Sequence, residues 1–145
     1  MTHDLKRLTD SRARFAAEMD RQRRISFAWG GHDCLLGLVS GAVEALTGEP
    51  FAVQYHGRYS TEEEAAAVIE GEGFGDLGDL MASLLPEHEH PSRARVGDVG
   101  VIRAAGALGM ALCIVDASSL IVLTARGHGR APRELMLRAY RVGLE

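Results

Sequence analysis

One stretch governs what this chain can become. From Cys34 to Leu46 the sequence is almost continuously apolar, through Leu35, Leu36, Leu38, Val39 and Val43, and glycines bound it at Gly30-Gly31 and Gly48. A helix that is apolar on nearly every side has to be buried. The rest of the chain must therefore wrap around it. Asp33 is a residue type that caps helix N-termini, and Gly48 is one that ends helices. Cys34 is thereby expected at the first turn of a buried central helix.

The flanking segments supply the wrapping. Residues 4–24 are predicted to form an amphipathic helix, with Leu5, Leu8, Phe15 and Met19 at helical spacing and Asp4 as its cap. A third helix is expected from Ser60 or Thr61 to Gly71. Glu62, Glu63 and Glu64 in its first turn suit the positive end of the helix dipole. A short helix over 77–85 is closed by Pro86, and 87–92 reads as a polar connector. The pattern then changes. Residues 99–103, 110–115 and 120–124 are short, largely β-branched runs between turn signals, and 138–142 is expected as the last strand. Helices followed by a strand meander predict one α+β domain over 1–145: an N-terminal helix (1–24), a mainly helical half (25–95) and a strand-rich half (96–145). A chain of 145 residues with 46% hydrophobic content can bury a sufficient core unaided.

Charge is segregated along the chain. Residues 60–90 carry nine acidic groups and no Lys or Arg, while both ends are net basic, within a total of −4. This predicts either internal pairing or docking surfaces of opposite sign, and no chain-wide basic field for nucleic acid. No apolar run approaches the roughly 18–20 residues of a membrane span, and no signal-peptide pattern opens the chain. Gly73-Phe74-Gly75-Asp76-Leu77-Gly78 matches G-x-G-x-x-G literally, but it follows a predicted helix and sits among carboxylates, so it is expected to be a turn. Glu87-His88-Glu89-His90 concentrates ligand types in a connector between two prolines and is expected to be a solvated loop. Two cysteines are too few for a disulfide framework, and their spacing matches no zinc motif. No metal or cofactor is implied.

Cys34 is the leading chemical candidate. A thiol at a helix N-terminus faces unsatisfied N–H groups and the positive end of the dipole, both of which favour the thiolate. Cys113, between Leu112 and Ile114, reads as an inert core residue. The segment Trp29-Gly30-Gly31-His32-Asp33-Cys34 resembles the W-G-x-x-D-C element of NlpC-like cysteine peptidases, and Gly97-Asp98 followed by Val99-Gly100-Val101-Ile102 resembles their Gly-Asp strand. More closely, Thr47-Gly48-Glu49-Pro50 and His56-Gly57-Arg58-Tyr59 are similar to the T-G-x-P and R-G-x-Y segments of an uncharacterised NlpC-like family of phages and prophages. The resemblance covers about residues 25–142. It implies a papain-like fold, with the cysteine-bearing helix packed on an antiparallel sheet, and cleavage of peptidoglycan stem peptides. It also implies residence in a phage tail tip, with tail-tip or hub proteins as partners. Outside a phage, a chain without a signal peptide would stay in the bacterial cytoplasm.

The sequence departs from that pattern at one place. The stretch Leu108-Gly109-Met110-Ala111-Leu112-Cys113-Ile114, where the resembled enzymes carry their histidine, has none. General acid–base help worth about 10²–10⁴-fold is then missing. His32, on the turn two residues before Cys34, and His128, expected on a glycine-flanked loop between Gly127 and Gly129, are the candidate substitutes. Trp29, Asp33, Arg58 and Tyr59 are the candidate substrate-binding residues; an Arg-Tyr pair suits a carboxylate, or Arg58 bridges to the acidic segment that follows. Two functions remain: a tail-tip component related to cell-wall peptidases, whose catalysis the missing strand histidine puts in question, or an active cysteine peptidase or amidase cleaving peptidoglycan stem peptides through Cys34.

Overall fold

The computed structural model describes residues 5–143. The described residues form four α-helices and one antiparallel sheet. α1 spans Ser11–Gln22; a π-helical turn, Cys34–Val39, runs into α2, Ser40–Thr47; α3 spans Glu62–Gly71 and α4 Leu77–Leu84. The strands β1 (Val99–Arg103), β2 (Met110–Val115), β3 (Leu120–Thr124), β4 (Gly127–Ala131) and β5 (Met136–Tyr140) pair in the order β4-β3-β2-β1-β5. Every pairing is antiparallel. The architecture is thus α+β, with helices preceding a sheet.

The apolar run is buried as its composition demands. Leu38, Val39, Ala42 and Val43 have no exposed surface, and they share a core with Val99, Val101, Leu112 and Ile114 of the sheet. The π-helical turn packs on β2 and β3. Thr61 and Asp76 cap α3 and α4 through their side chains, and both helices begin at the expected positions. Residues 73–76 are therefore a helix-to-helix turn, and Leu77 and Gly78 open α4.

Three expectations are corrected. The N-terminal helix starts at Ser11, because Leu8 N–H donates to Leu46 O and Arg7 is pinned elsewhere; Leu5 and Leu8 thus lie before it, and the expected cap Asp4 lies outside the described residues. The last strand is Met136–Tyr140, two residues earlier than expected. The glycine-flanked segment around His128 is a strand, β4, paired with β3 from Thr124↔Gly127 to Leu120↔Ala131.

Asp98, fully buried, fastens the sheet to the rest. Its Oδ1 accepts from Arg7 Nη2 and from Val142 N–H, both at 3.0 Å. Its Oδ2 accepts from Arg95 N–H and lies 2.9 Å from His88 Nε2. The Glu87–His90 connector is likewise engaged: Glu87 pairs with Arg138, and His90 Nδ1 with Ser92. Among the described residues no group of three or more His, Cys, Asp or Glu side chains is placed to hold a metal, and no helix is long and apolar enough to cross a membrane.

Candidate functional site around Cys34

The site is built on the turn that enters the buried helix. Ala28 N–H donates to His32 O and His32 N–H returns to Ala28 O, closing a tight loop over Gly30-Gly31. Gly30 has φ +83°, and a Cβ there would collide with the Tyr59 carbonyl, so only glycine lets the two segments meet. Asp33 then takes charge of the turn. Its Oδ1 accepts from Leu35 and Leu36 N–H at 3.0 and 2.8 Å, and its Oδ2 accepts from Gly30 N–H at 3.0 Å and the Tyr59 hydroxyl at 2.7 Å. The first helical turn is π-type, with Leu38 N–H reaching back to Asp33 O.

Cys34 sits at that N-terminus as expected, but its thiol is pushed up to about 12 rather than down. Burial is the largest cause. Hydrogen bonding to the Leu112 and Leu35 backbone opposes it, and the Asp33 carboxylate adds to it. The dipole argument fails because the thiol is sealed against β2, where desolvation of a thiolate outweighs the N–H groups. Cys113 on β2 is also a buried free thiol pushed up to about 12 by burial.

A cavity of about 20 Å³, room for about one water, lies beside Cys34. Trp29, Asp33, Tyr59 and Leu108 line it, with α3 and α4 side chains behind. Trp29 is partly buried and packs edge-on against Phe27, at 5.1 Å between ring centres. Leu108, just before β2, is the residue that opens the stretch where an imidazole was sought.

The two candidate bases find their places away from the Cys34 thiol, His32 over the π-helical turn and His128 against α1. His32 packs over Gly37, where any Cβ would strike its ring. His128 Nε2 lies 3.1 Å from Gln22 Oε1. Gln22 is fully buried, and its Nε2 donates to Glu18 and to the Gly37 carbonyl. Its oxygen therefore faces His128, which assigns the proton to His128 Nε2. Among the described residues neither imidazole hydrogen-bonds Cys34, and His32 Nε2 is buried without a partner. Burial is the main cause that lowers both histidine pKa values. Arg21 adds to it at His32, opposed by Asp33 and Glu18; Arg23, His32 and Arg130 add to it at His128, opposed by Glu18.

Neutral imidazoles contribute stability that is fully present above the ordinary histidine pKa of 6.5 and is lost as pH falls below it. The urea midpoint is expected to drop between about pH 7.5 and about pH 5.5, and to drop less in His128→Asn. An unchanged wild-type midpoint would contradict the neutral pair.

The candidate binding residues are mostly occupied within the fold. Arg58 pairs with Glu72 at 2.9 Å and lies 5.5 Å over the Tyr55 ring, which is the bridge to the acidic segment. Tyr55 donates to the same Glu72. Asp33 and Tyr59 are bonded to each other, and burial with the nearby Asp33 charge pushes the Tyr59 phenol well above its usual range. Gln22, which organises the histidine side, carried no sequence signal beyond its place on an amphipathic helix.

Together the fold and this site define a class: an α+β domain whose buried central helix begins at an Asp-Cys pair against an antiparallel sheet. A family model described as Domain of unknown function (DUF6950) matches residues 6–142, and the chain belongs to that family. No curated protein matches it.

Proposed function

We propose that the chain is an NlpC-like, papain-like domain that serves as a docking component of a phage or prophage tail rather than as a working peptidase. The observation that carries the reading is the sealed Cys34 thiol, held protonated and without an imidazole partner among the described residues. Acyl transfer through cysteine needs a thiolate and a base within hydrogen-bond reach. Leu108 lines the cavity where that base would have to stand. The papain-like part of the reading is supported by the helix that starts at Cys34 and packs on β2 and β3, together with the W-G-x-x-D-C and Gly-Asp elements. The tail assignment rests on the T-G-x-P and R-G-x-Y segments.

One observation favours the other reading, a peptidase or amidase acting on peptidoglycan stem peptides. Cys34 shares its cavity with Trp29 and Tyr59 at the helix entrance. Incubation with purified cell walls separates the two. The docking reading expects no stem-peptide fragments above the Cys34→Ala background, and a phage carrying Cys34→Ser that assembles and infects normally. Fragments that depend on Cys34, or particles that assemble but cannot infect, would overturn it.

A further inference from the structure

A larger concavity, of about 710 Å³, lies between α1 and the turn joining β2 to β3. It shares no lining residue with the Cys34 cavity. Its floor is apolar: Phe15 and Met19 of α1, Leu46 of α2 and Ile121 of β3. Its walls carry five arginines and two aspartates. The basic ends of the chain, far apart in sequence, thus converge on one groove.

The arginines are not equivalent. Arg7 is committed to Asp98 and to the Val96 and Val142 carbonyls, so it belongs to the scaffold. Arg23 pairs with Asp20 and Arg130 with Asp116, and both pairs sit on the exposed rim. Arg12, exposed on α1, forms no ion pair among the described residues. The rim therefore keeps an excess of positive charge after its own aspartates are satisfied. Guanidinium groups flanking an apolar floor suit an occupant with carboxylates at its edges and an aliphatic side chain at its centre. Asp20 and Asp116 interrupt the basic rim, which disfavours a continuous phosphate backbone. Phe15 is the one aromatic ring among the described lining residues, so successive bases would find no run of stacking partners.

We propose that this groove docks an acidic, leucine-bearing segment of a partner protein, held by Arg12 at the rim, with Arg23 and Arg130 taking its carboxylates in exchange for Asp20 and Asp116. The proposal deepens the docking reading by naming the partner's chemistry. A reactive Cys34 would defeat that reading and leave the groove untouched, so the two fail separately.

The test is fluorescence anisotropy with a labelled short peptide of alternating Glu and Leu. Saturable binding is expected, weakened about tenfold or more by the double substitution Arg12→Glu with Arg23→Glu. Raising salt from about 0.05 M to about 0.5 M should weaken it as well. Ala16→Trp, which fills the groove without changing charge, should also weaken it. Both variants alter exposed positions on α1 or at its C-terminal end, and their unfolding midpoints check that the fold is kept. Any of four results would overturn the proposal: no binding; equal binding of a Glu-only peptide; tighter binding of a single-stranded oligonucleotide; or self-association of the chain that the same substitutions abolish, which would make a second copy the occupant.

Discussion

At neutral pH Cys34 of the folded protein is expected to react with iodoacetamide about a thousandfold more slowly than an ordinary exposed thiol. The factor comes from a pKa pushed up to about 12 from an unperturbed 9.0, which leaves a thousandth of the usual thiolate. Burial slows the reaction further. Cys113→Ser removes the second buried thiol from the readout, and full labelling in denaturant confirms that Cys34 is chemically intact. The same shift has a pH consequence. Neutral buried thiols contribute stability that is fully present below the ordinary thiol range and is lost as pH rises from about 9 through about 12. Rapid labelling of the native protein near pH 7 would show a thiolate that the sealed geometry does not allow.

The largest loss of stability among single substitutions at the site is expected for Asp33→Ala, about 3–5 kcal/mol. One carboxylate there accepts three backbone N–H groups and one phenol in a buried setting. Removing it strands all four donors and uncaps the central helix. Tyr59→Phe deletes a single one of these bonds and should cost about 1–2 kcal/mol. Urea unfolding measures both. A substrate-binding Asp33 would behave differently, with Asp33→Ala leaving the midpoint near wild type while weakening ligand binding.

Much of the fold was legible because its signals were local. β1, β2 and β3 stand where the β-branched runs predict them, Thr61 starts α3 as its side chain predicts, and α4 falls within the expected 77–85. β4 was missed because Gly127, His128 and Gly129 have no strand propensity; the backbone of β3 recruits them. Leu5 and Leu8 have helical spacing, yet the contacts of Arg7 and Leu8 with distant segments hold that stretch out of the helix. At the site, the Asp-Cys turn could be read in advance, but the electrostatics of Cys34 could not. Whether a helix N-terminus lowers a thiol pKa depends on what covers the thiol, and here that cover is β2, more than 70 residues away. The orientation of His128 was equally hidden, since it is set by Gln22 from a distant helix, and that of His32 by its packing over Gly37.

The Asp98 clamp has a topological consequence. Arg7 Nε donates to Val142 O while both residues bond one carboxylate, and a Cβ on Gly143 would lie 3.2 Å from the Arg7 backbone nitrogen. The two ends of the described chain therefore meet at a single knot, and the backbone between them behaves nearly as a closed ring. Such a ring can be opened elsewhere. A circular permutant joined by a short linker across Arg7 and Val142, and cut at the exposed Ala117-Ser118 turn, should keep the same sheet order. Anything fused to either end would leave the domain from the same point on its surface.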